Sequence, residues 1–135
     1  MQHVDPASLS NLQSRIAYTT AFLGFGRDDV AYLHASAPIV KPLVGAVVDM
    51  VYTKLLSFDI TAKAFVPRQL GFDGDLKERK PEQLTHDDVQ IKFRKDFLKK
   101  YLARLVEMNY DTPADWEYLD KVALMHTGQA GFAHR

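Results

Sequence analysis

Hydrophobic residues recur three and four positions apart through most of this 135-residue chain, and strict alternation of apolar and polar residues is almost absent. Spacings of three and four place apolar side chains on one face of an α-helix. The pattern therefore predicts an all-α fold.

Glycine and proline divide the N-terminal part of this pattern into three predicted helices. The first carries a stripe of Leu9, Leu12, Ile16, Thr20 and Leu23. It is expected to end at Gly24 and Gly26. A second helix is expected from about Asp28 and stops before Pro38, because proline disfavours helical backbone in the residue before it. A third begins at Pro38, and its stripe comprises Val40, Val44, Val48, Tyr52 and Leu55 or Leu56.

A polar segment separates these helices from the next one. After a turn of helix over residues 60–65, two prolines, two glycines and many charges predict a long surface loop over residues 67–85. Thr85 is the predicted N-cap of the following helix, since an acid stands three residues later. Its core face is expected to hold Phe97, Leu98, Tyr101, Leu102, Leu105 and Met108. Its solvated face is expected to hold Lys92, Arg94, Lys95, Lys99, Lys100 and Arg104.

A last helix begins at a second capping motif, T-P-A-D. Thr112 is its expected N-cap, Pro113 its first residue and Asp115 the acid that completes the motif. The helix carries a stripe of Leu119, Val122, Ala123 and His126. Gly128 is expected to end it in the left-handed conformation.

His126 is the most informative residue of this helix. The Val122 carbonyl, one turn earlier, is placed to accept a hydrogen bond from the ring Nδ1–H, which leaves Nε2 with a lone pair for a metal. By spacing alone, a core histidine satisfied by a carbonyl is the commoner arrangement. A zinc site is not favoured, because no second histidine or cysteine stands nearby at ligand spacing. A single histidine suits haem, which brings four nitrogens of its own.

Two aromatic residues add to this picture without deciding it. Tyr52 is the one hydroxyl on an otherwise aliphatic stripe, so its buried OH needs a partner, either an iron-bound gas or water and a carbonyl at the edge of the core. Phe65 either stacks on a flat macrocycle or closes the end of the core.

Composition narrows the functional classes. Basic and acidic residues number 17 each and cysteine is absent, which argues against nucleic-acid or membrane partners and excludes thiol chemistry. A basic face over residues 92–104 is the one local exception, and such faces are usually solvated. No signal segment or membrane span is visible, so a cytoplasmic setting is expected. Without a nucleophile elbow, a phosphate-binding loop or paired carboxylates, the chain is not expected to be an enzyme.

The chain resembles the protoglobin and globin-coupled-sensor domain in three stretches: RIAYTTAFLGFGRDDVAYLHASAPIV, VVDMVYTKLLSFDITAKAF and FLKKYLARLVEMNYDTPADWEYLDKVALMHTG. The resemblance implies a single globin-like domain over residues 1–135. Its helices would be an extra N-terminal helix followed by A, B, C, E and F, with the 67–85 loop between C and E. The family continues with helices G and H, whereas this chain stops at GFAHR. Exposed core faces are therefore expected: either the sequence is a fragment or a truncated gene product, or self-association, as in a homodimer, covers these faces.

The resemblance also implies a haem b site. His126, in V-A-L-M-H, falls at the proximal ligand of the iron, and Tyr52, in D-M-V-Y, at the distal tyrosine that contacts bound gas. Phe65 falls at the phenylalanine that packs on haem. Val51 and Leu98 stand where some members carry tryptophan and phenylalanine. The full set expected to bind the cofactor is His126, Tyr52, Val51, Phe65, Phe97, Leu98 and Val122.

The function implied is reversible binding of O2, CO or NO at haem iron, as a gas sensor or a gas-binding protein. The alternative is a module of the same fold that has lost haem and acts through interaction with partners.

Overall fold

The computed structural model describes residues 1–69, 71–76 and 78–127. Across these ranges it is helical and without strands, which confirms the all-α prediction. The α-helices are α1 (Leu12–Leu23), α2 (Arg27–Leu56), α3 (Asp59–Ala62), α4 (Val89–Leu105) and α5 (Pro113–Met125). Short 3-10 helices occupy Pro6–Ser10, Lys63–Phe65 and Pro81–Gln83. No helix in these ranges is long and apolar enough to cross a membrane.

Helix α1 is bounded by its caps. The Asn11 side chain accepts a hydrogen bond from the Ser14 backbone N–H at 3.2 Å, so the helix begins one residue later. At the other end Gly24 has a φ of 65°, the left-handed conformation that ends a helix, which confirms the predicted stop. Leu9, the first residue of the predicted stripe, lies before the helix in a 3-10 turn.

Helix α2 corrects the prediction of two helices separated before Pro38. It runs without a break through both Pro38 and Pro42. A proline inside a helix removes one backbone donor and costs about 3 kcal/mol. The same helix buries Val44, Val48 and Tyr52, and each buried side chain of this size contributes about 1.5–3 kcal/mol. All three residues follow the prolines, so their burial stabilises the C-terminal part of the helix and does not by itself explain its continuation through Pro38.

The start of α4 also differs from the prediction. The Thr85 backbone N–H donates to the Asp88 carboxylate at 2.7 Å, and the Asp87 N–H donates to the Thr85 hydroxyl at 3.3 Å. One of the two reciprocal bonds of the capping motif is therefore present, while the Thr85 hydroxyl accepts from Asp87 instead of Asp88. These bonds close a turn, however, and the helix itself begins at Val89 with Asp88 as its N-cap.

Helix α5 begins as predicted, with Thr112 as N-cap and Pro113 at the first position. Asp115 accepts hydrogen bonds from the Thr112 hydroxyl at 3.1 Å and from the Asn109 backbone N–H at 3.0 Å. The helix has His126 as its C-cap residue. Gly128, the predicted stop, lies outside the described residues.

The chain divides into two compact units, one formed by residues 1–35 with the segment that begins at Glu107, and one formed by residues 36–106. The second unit holds a hydrophobic cluster whose buried members are Val44, Val48, Tyr52 and Ile91. Partly buried side chains pack against it: Val40, Val51, Leu56, Phe65, Leu98 and Leu102. A single domain over 1–135 stays a prediction.

Candidate functional site

The imidazole of His126 is held by the helix that carries it. Its Nδ1 lies 2.7 Å from the Val122 carbonyl oxygen, which confirms the predicted hydrogen bond. Because a carbonyl only accepts, Nδ1 carries the proton and donates. In the neutral ring this assigns the lone pair to Nε2, which is the tautomer that a metal ligand requires.

The surroundings of His126 are more open than its position on an apolar stripe predicted. Helix α5 has no fully buried residue; Leu119 and Val122 are half-buried, whereas Ala123 and His126 are exposed. His126 is therefore not enclosed in a hydrophobic core. This exposure argues against the alternative in which the residue has only a packing role.

Tyr52 lies in the core of the second unit. Its side chain is 5% exposed, and its ring centroid is 5.5 Å from that of Phe65. No acceptor or donor in the described part of the chain forms a hydrogen bond with its hydroxyl. Burial raises the pKa of the phenol, and the positive charge of Arg94 lowers it by a smaller amount. Tyr52 thus has a buried side chain, and its phenol stays uncharged at neutral pH.

Arg94 approaches the same two aromatic residues. Its guanidinium carbon lies 5.1 Å from the centre of the Phe65 ring, and its Nη2 donates to the Pro67 carbonyl at 3.2 Å. Its Nε–H is buried and has no acceptor among the described residues. Burial lowers the pKa of this guanidinium, which nevertheless stays protonated at any physiological pH.

The placement of Arg94 corrects the prediction that it belongs to the solvated face of its helix. The sequence spacing indicates the inward position of this side chain. Gln90, Arg94 and Leu98 follow one another at intervals of four residues and therefore share one face of the helix. Gln90 is buried and Leu98 packs on the core cluster. An arginine between them must also lie on the inner face.

Gln90 is a positioning residue that no pattern in the sequence singles out. Its side-chain nitrogen donates to the carbonyls of Phe65 at 2.8 Å and Pro67 at 2.9 Å. Its side-chain oxygen accepts from the Gln69 backbone N–H at 2.8 Å. One buried amide therefore ties α4 to the segment that carries Phe65.

The remaining predicted site residues fall into two groups. Val51, Phe65 and Leu98 pack on the cluster that contains Tyr52. Phe97 does not pack on this cluster. Its side chain is 50% exposed, and its ring centroid lies 5.0 Å from that of Phe93. The prediction that Phe97 faces the core is therefore wrong. Its contact with a cofactor stays a prediction. Val122 and His126 belong to the first unit.

The second unit also contains a cavity. A cavity of about 270 Å³ opens where the loop meets the start of α4, lined among others by Phe65, Leu76, Leu84 and Ile91. No group of three or more histidine, aspartate or glutamate side chains in the described ranges is placed to hold a bare metal ion.

Comparison with known proteins identifies the family. The family model named Protoglobin matches residues 12–135, a stretch that includes His126, Tyr52 and Phe65. No curated protein and no solved structure matches the chain. The family has a globin-like fold, in agreement with the helices described above. Since the match takes in nearly the whole sequence, the chain belongs to the protoglobin family.

Proposed function

We propose that this protein binds haem b and, at the haem iron, reversibly binds a diatomic gas (O2, CO or NO), as a gas sensor or gas-binding protein. Membership of the family supports the cofactor. The observation that carries the proposal is the 2.7 Å hydrogen bond from His126 Nδ1–H to the Val122 carbonyl, because it presets the ring as an axial ligand.

The residues present fit this cofactor. Haem supplies four equatorial nitrogens and an iron that binds small gases, and it requires one axial imidazole from the protein. His126 would be that proximal ligand through Nε2, while the Val122 carbonyl holds the ring. Its exposure in the chain is compatible with a group that contacts a cofactor rather than a core.

Tyr52 would donate a hydrogen bond to the bound gas. Its O–H is uncharged and has no acceptor in the described part of the chain, so it is available to donate to a ligand. Phe65 would pack on the macrocycle, and Val51, Leu98 and Phe97 would contribute apolar contacts. In this role the protein binds and does not turn over a substrate.

The test is haem uptake. Purified chain mixed with haem is expected to give a Soret absorption band that shifts with CO and is lost or weakened in His126→Ala. His3→Ala, which removes an exposed histidine far along the sequence from the helix of His126, is the matched control and should leave the band unchanged. A folded, helical sample that takes up no haem would refute the proposal and favour the haem-free interaction module.

The proposed assembly is a homodimer. Four apolar residues form an exposed stripe at helical spacing on α2: Ile39 (69% exposed), Leu43 (53%), Val47 (37%) and Met50 (66%). A contiguous apolar stripe of this kind is typical of a surface that another protein covers. A second copy of the chain would bury it. With equal numbers of basic and acidic residues, no nucleic-acid or membrane partner is proposed.

A further inference from the structure

We infer that Arg94 is a further ligand-contacting residue and that, together with Tyr52, it gives the gas-binding side of the haem site a preference for small anions, such as azide or cyanide, over neutral CO. The inference rests on the proposed function, which supplies the haem. To the proposed function it adds a class of ligand, small anions, and a contacting residue, Arg94, that the family resemblance did not single out.

Phe65 is the common neighbour of both polar groups. The Tyr52 ring lies 5.5 Å from the Phe65 ring, and the Arg94 guanidinium lies 5.1 Å from the same ring. The positive charge of Arg94 lowers the pKa of the Tyr52 phenol, by less than burial raises it. A ligand beside Phe65 would therefore meet one neutral O–H donor and one cationic N–H donor.

The charge of Arg94 has no counterion in the part of the chain that the structure describes. No carboxylate among the described residues pairs with it, and of its five N–H donors the one at Nε is buried without an acceptor. A partly buried cation without a partner is costly, and an anion supplies both the missing charge and the missing acceptor. Neutral CO supplies neither.

The local structure holds this arrangement in place. Gln90, one turn before Arg94, fixes the carbonyls of Phe65 and Pro67, and Pro67 in turn accepts from Arg94 Nη2. The contact between the guanidinium and the Phe65 ring adds a cation–π attraction. Arg94 is thus positioned before any ligand arrives.

The first experiment compares ligands in the haem-loaded protein. Azide and cyanide are titrated into the ferric form and CO into the ferrous form, with the Soret band as readout, for the natural chain, Arg94→Met and Arg94→Lys. Loss of one charge-assisted hydrogen bond is expected to weaken azide binding roughly tenfold to a hundredfold in Arg94→Met. Arg94→Lys should keep most of the affinity, and CO affinity should barely change in either variant.

Lys100→Met is the matched control, since it removes one positive charge from an exposed position of the same helix. It should leave azide binding unchanged. The inference is overturned if Arg94→Met binds azide as well as the natural chain, or if it loses azide and CO to the same extent.

The second experiment needs no haem. In the proton–nitrogen NMR spectrum of the haem-free chain, the Arg94 Nε–H signal is identified by its absence in Arg94→Lys. We expect slow exchange with water, because the group is buried, and a shift on addition of azide. A rapidly exchanging signal that azide does not move would overturn the inference. If no haem is taken up, the proposed function fails, and this titration alone decides whether Arg94 binds anions.

Discussion

The guanidinium of Arg15 in α1 and the carboxylate of Asp120 in α5 meet in two parallel hydrogen bonds. Nε lies 3.1 Å from Oδ1 and Nη2 lies 2.8 Å from Oδ2. The remaining nitrogen, Nη1, donates to the carbonyls of Leu9 at 2.9 Å and Ser10 at 3.0 Å. Arg15 therefore links the helix that carries His126 to α1 and to the 3-10 turn before it.

Arg15→Lys is expected to weaken this link. Lysine keeps the charge but has a single nitrogen, so the paired bonds and the bonds to the turn are not reproduced. Because both side chains are partly exposed, we expect a loss of about 1 kcal/mol in the free energy of unfolding, measured by urea denaturation with far-ultraviolet circular dichroism. Lys63→Met breaks the exposed pair with Asp59 and should cost almost nothing. Equal losses in the two variants would contradict the assigned role of Arg15.

Gln90→Ala is expected to loosen the segment after Phe65. The substitution removes three hydrogen bonds and leaves the Phe65 carbonyl and the Gln69 backbone N–H without the partner that the side chain provides, while the Pro67 carbonyl keeps the bond from Arg94. We expect a loss of about 2–4 kcal/mol and faster cleavage of the loop by a protease at low concentration.

Gln90→Glu tests the hydrogen bonds of the Gln90 amide without changing the volume of the side chain. A carboxylate of nearly the same size would face two carbonyl oxygens, so it should also destabilise the protein. Gln83→Ala is the matched control, since its side chain makes one exposed bond, to the Lys80 N–H. Unchanged stability and cleavage in both Gln90 variants would show that the amide does not hold the segment.

The parts of the fold that the sequence predicted well are local. The stop at Gly24, the start of α5 at Pro113 and the bond from His126 to Val122 each depend on residues within one turn of each other. Their geometry follows from the chemistry of a few neighbouring side chains, whatever the rest of the chain does.

The features that the sequence missed depend on packing across elements. Continuation of α2 through Pro38 and Pro42 runs against the local preference of proline, from which a break was predicted. Arg94 is grouped with the other basic residues of its helix by residue type, although its spacing from Leu98 places it on the inner face. The contacts that Arg94 and Gln90 make with Phe65 join residues that are far apart in the sequence, so no local pattern predicts them.

Leu43→Glu is expected to disrupt the proposed homodimer. The side chain lies in the exposed apolar stripe of α2, and a carboxylate buried in a dimer contact without a partner would cost several kcal/mol. In a concentration series followed by analytical ultracentrifugation, the natural chain should sediment as a dimer and the variant as a monomer. Ile60→Glu, at an exposed apolar position on α3 outside this stripe, should leave the dimer intact. A natural chain that is monomeric throughout would refute the assembly.

Tyr52 should make the protein sensitive to alkaline pH. Burial raises the pKa of its phenol above the usual value near 10, so the unfolded chain ionises before the folded one. The stability contributed by the protonated phenol is fully present below pH of about 10 and is lost as pH rises through the folded pKa. In Tyr52→Phe, the free energy of unfolding should therefore fall less steeply above that pH than in the natural chain. Tyr32→Phe, which changes an exposed ring, is the control and should follow the natural chain. Parallel curves for Tyr52→Phe and the natural chain would mean that the Tyr52 hydroxyl reaches water.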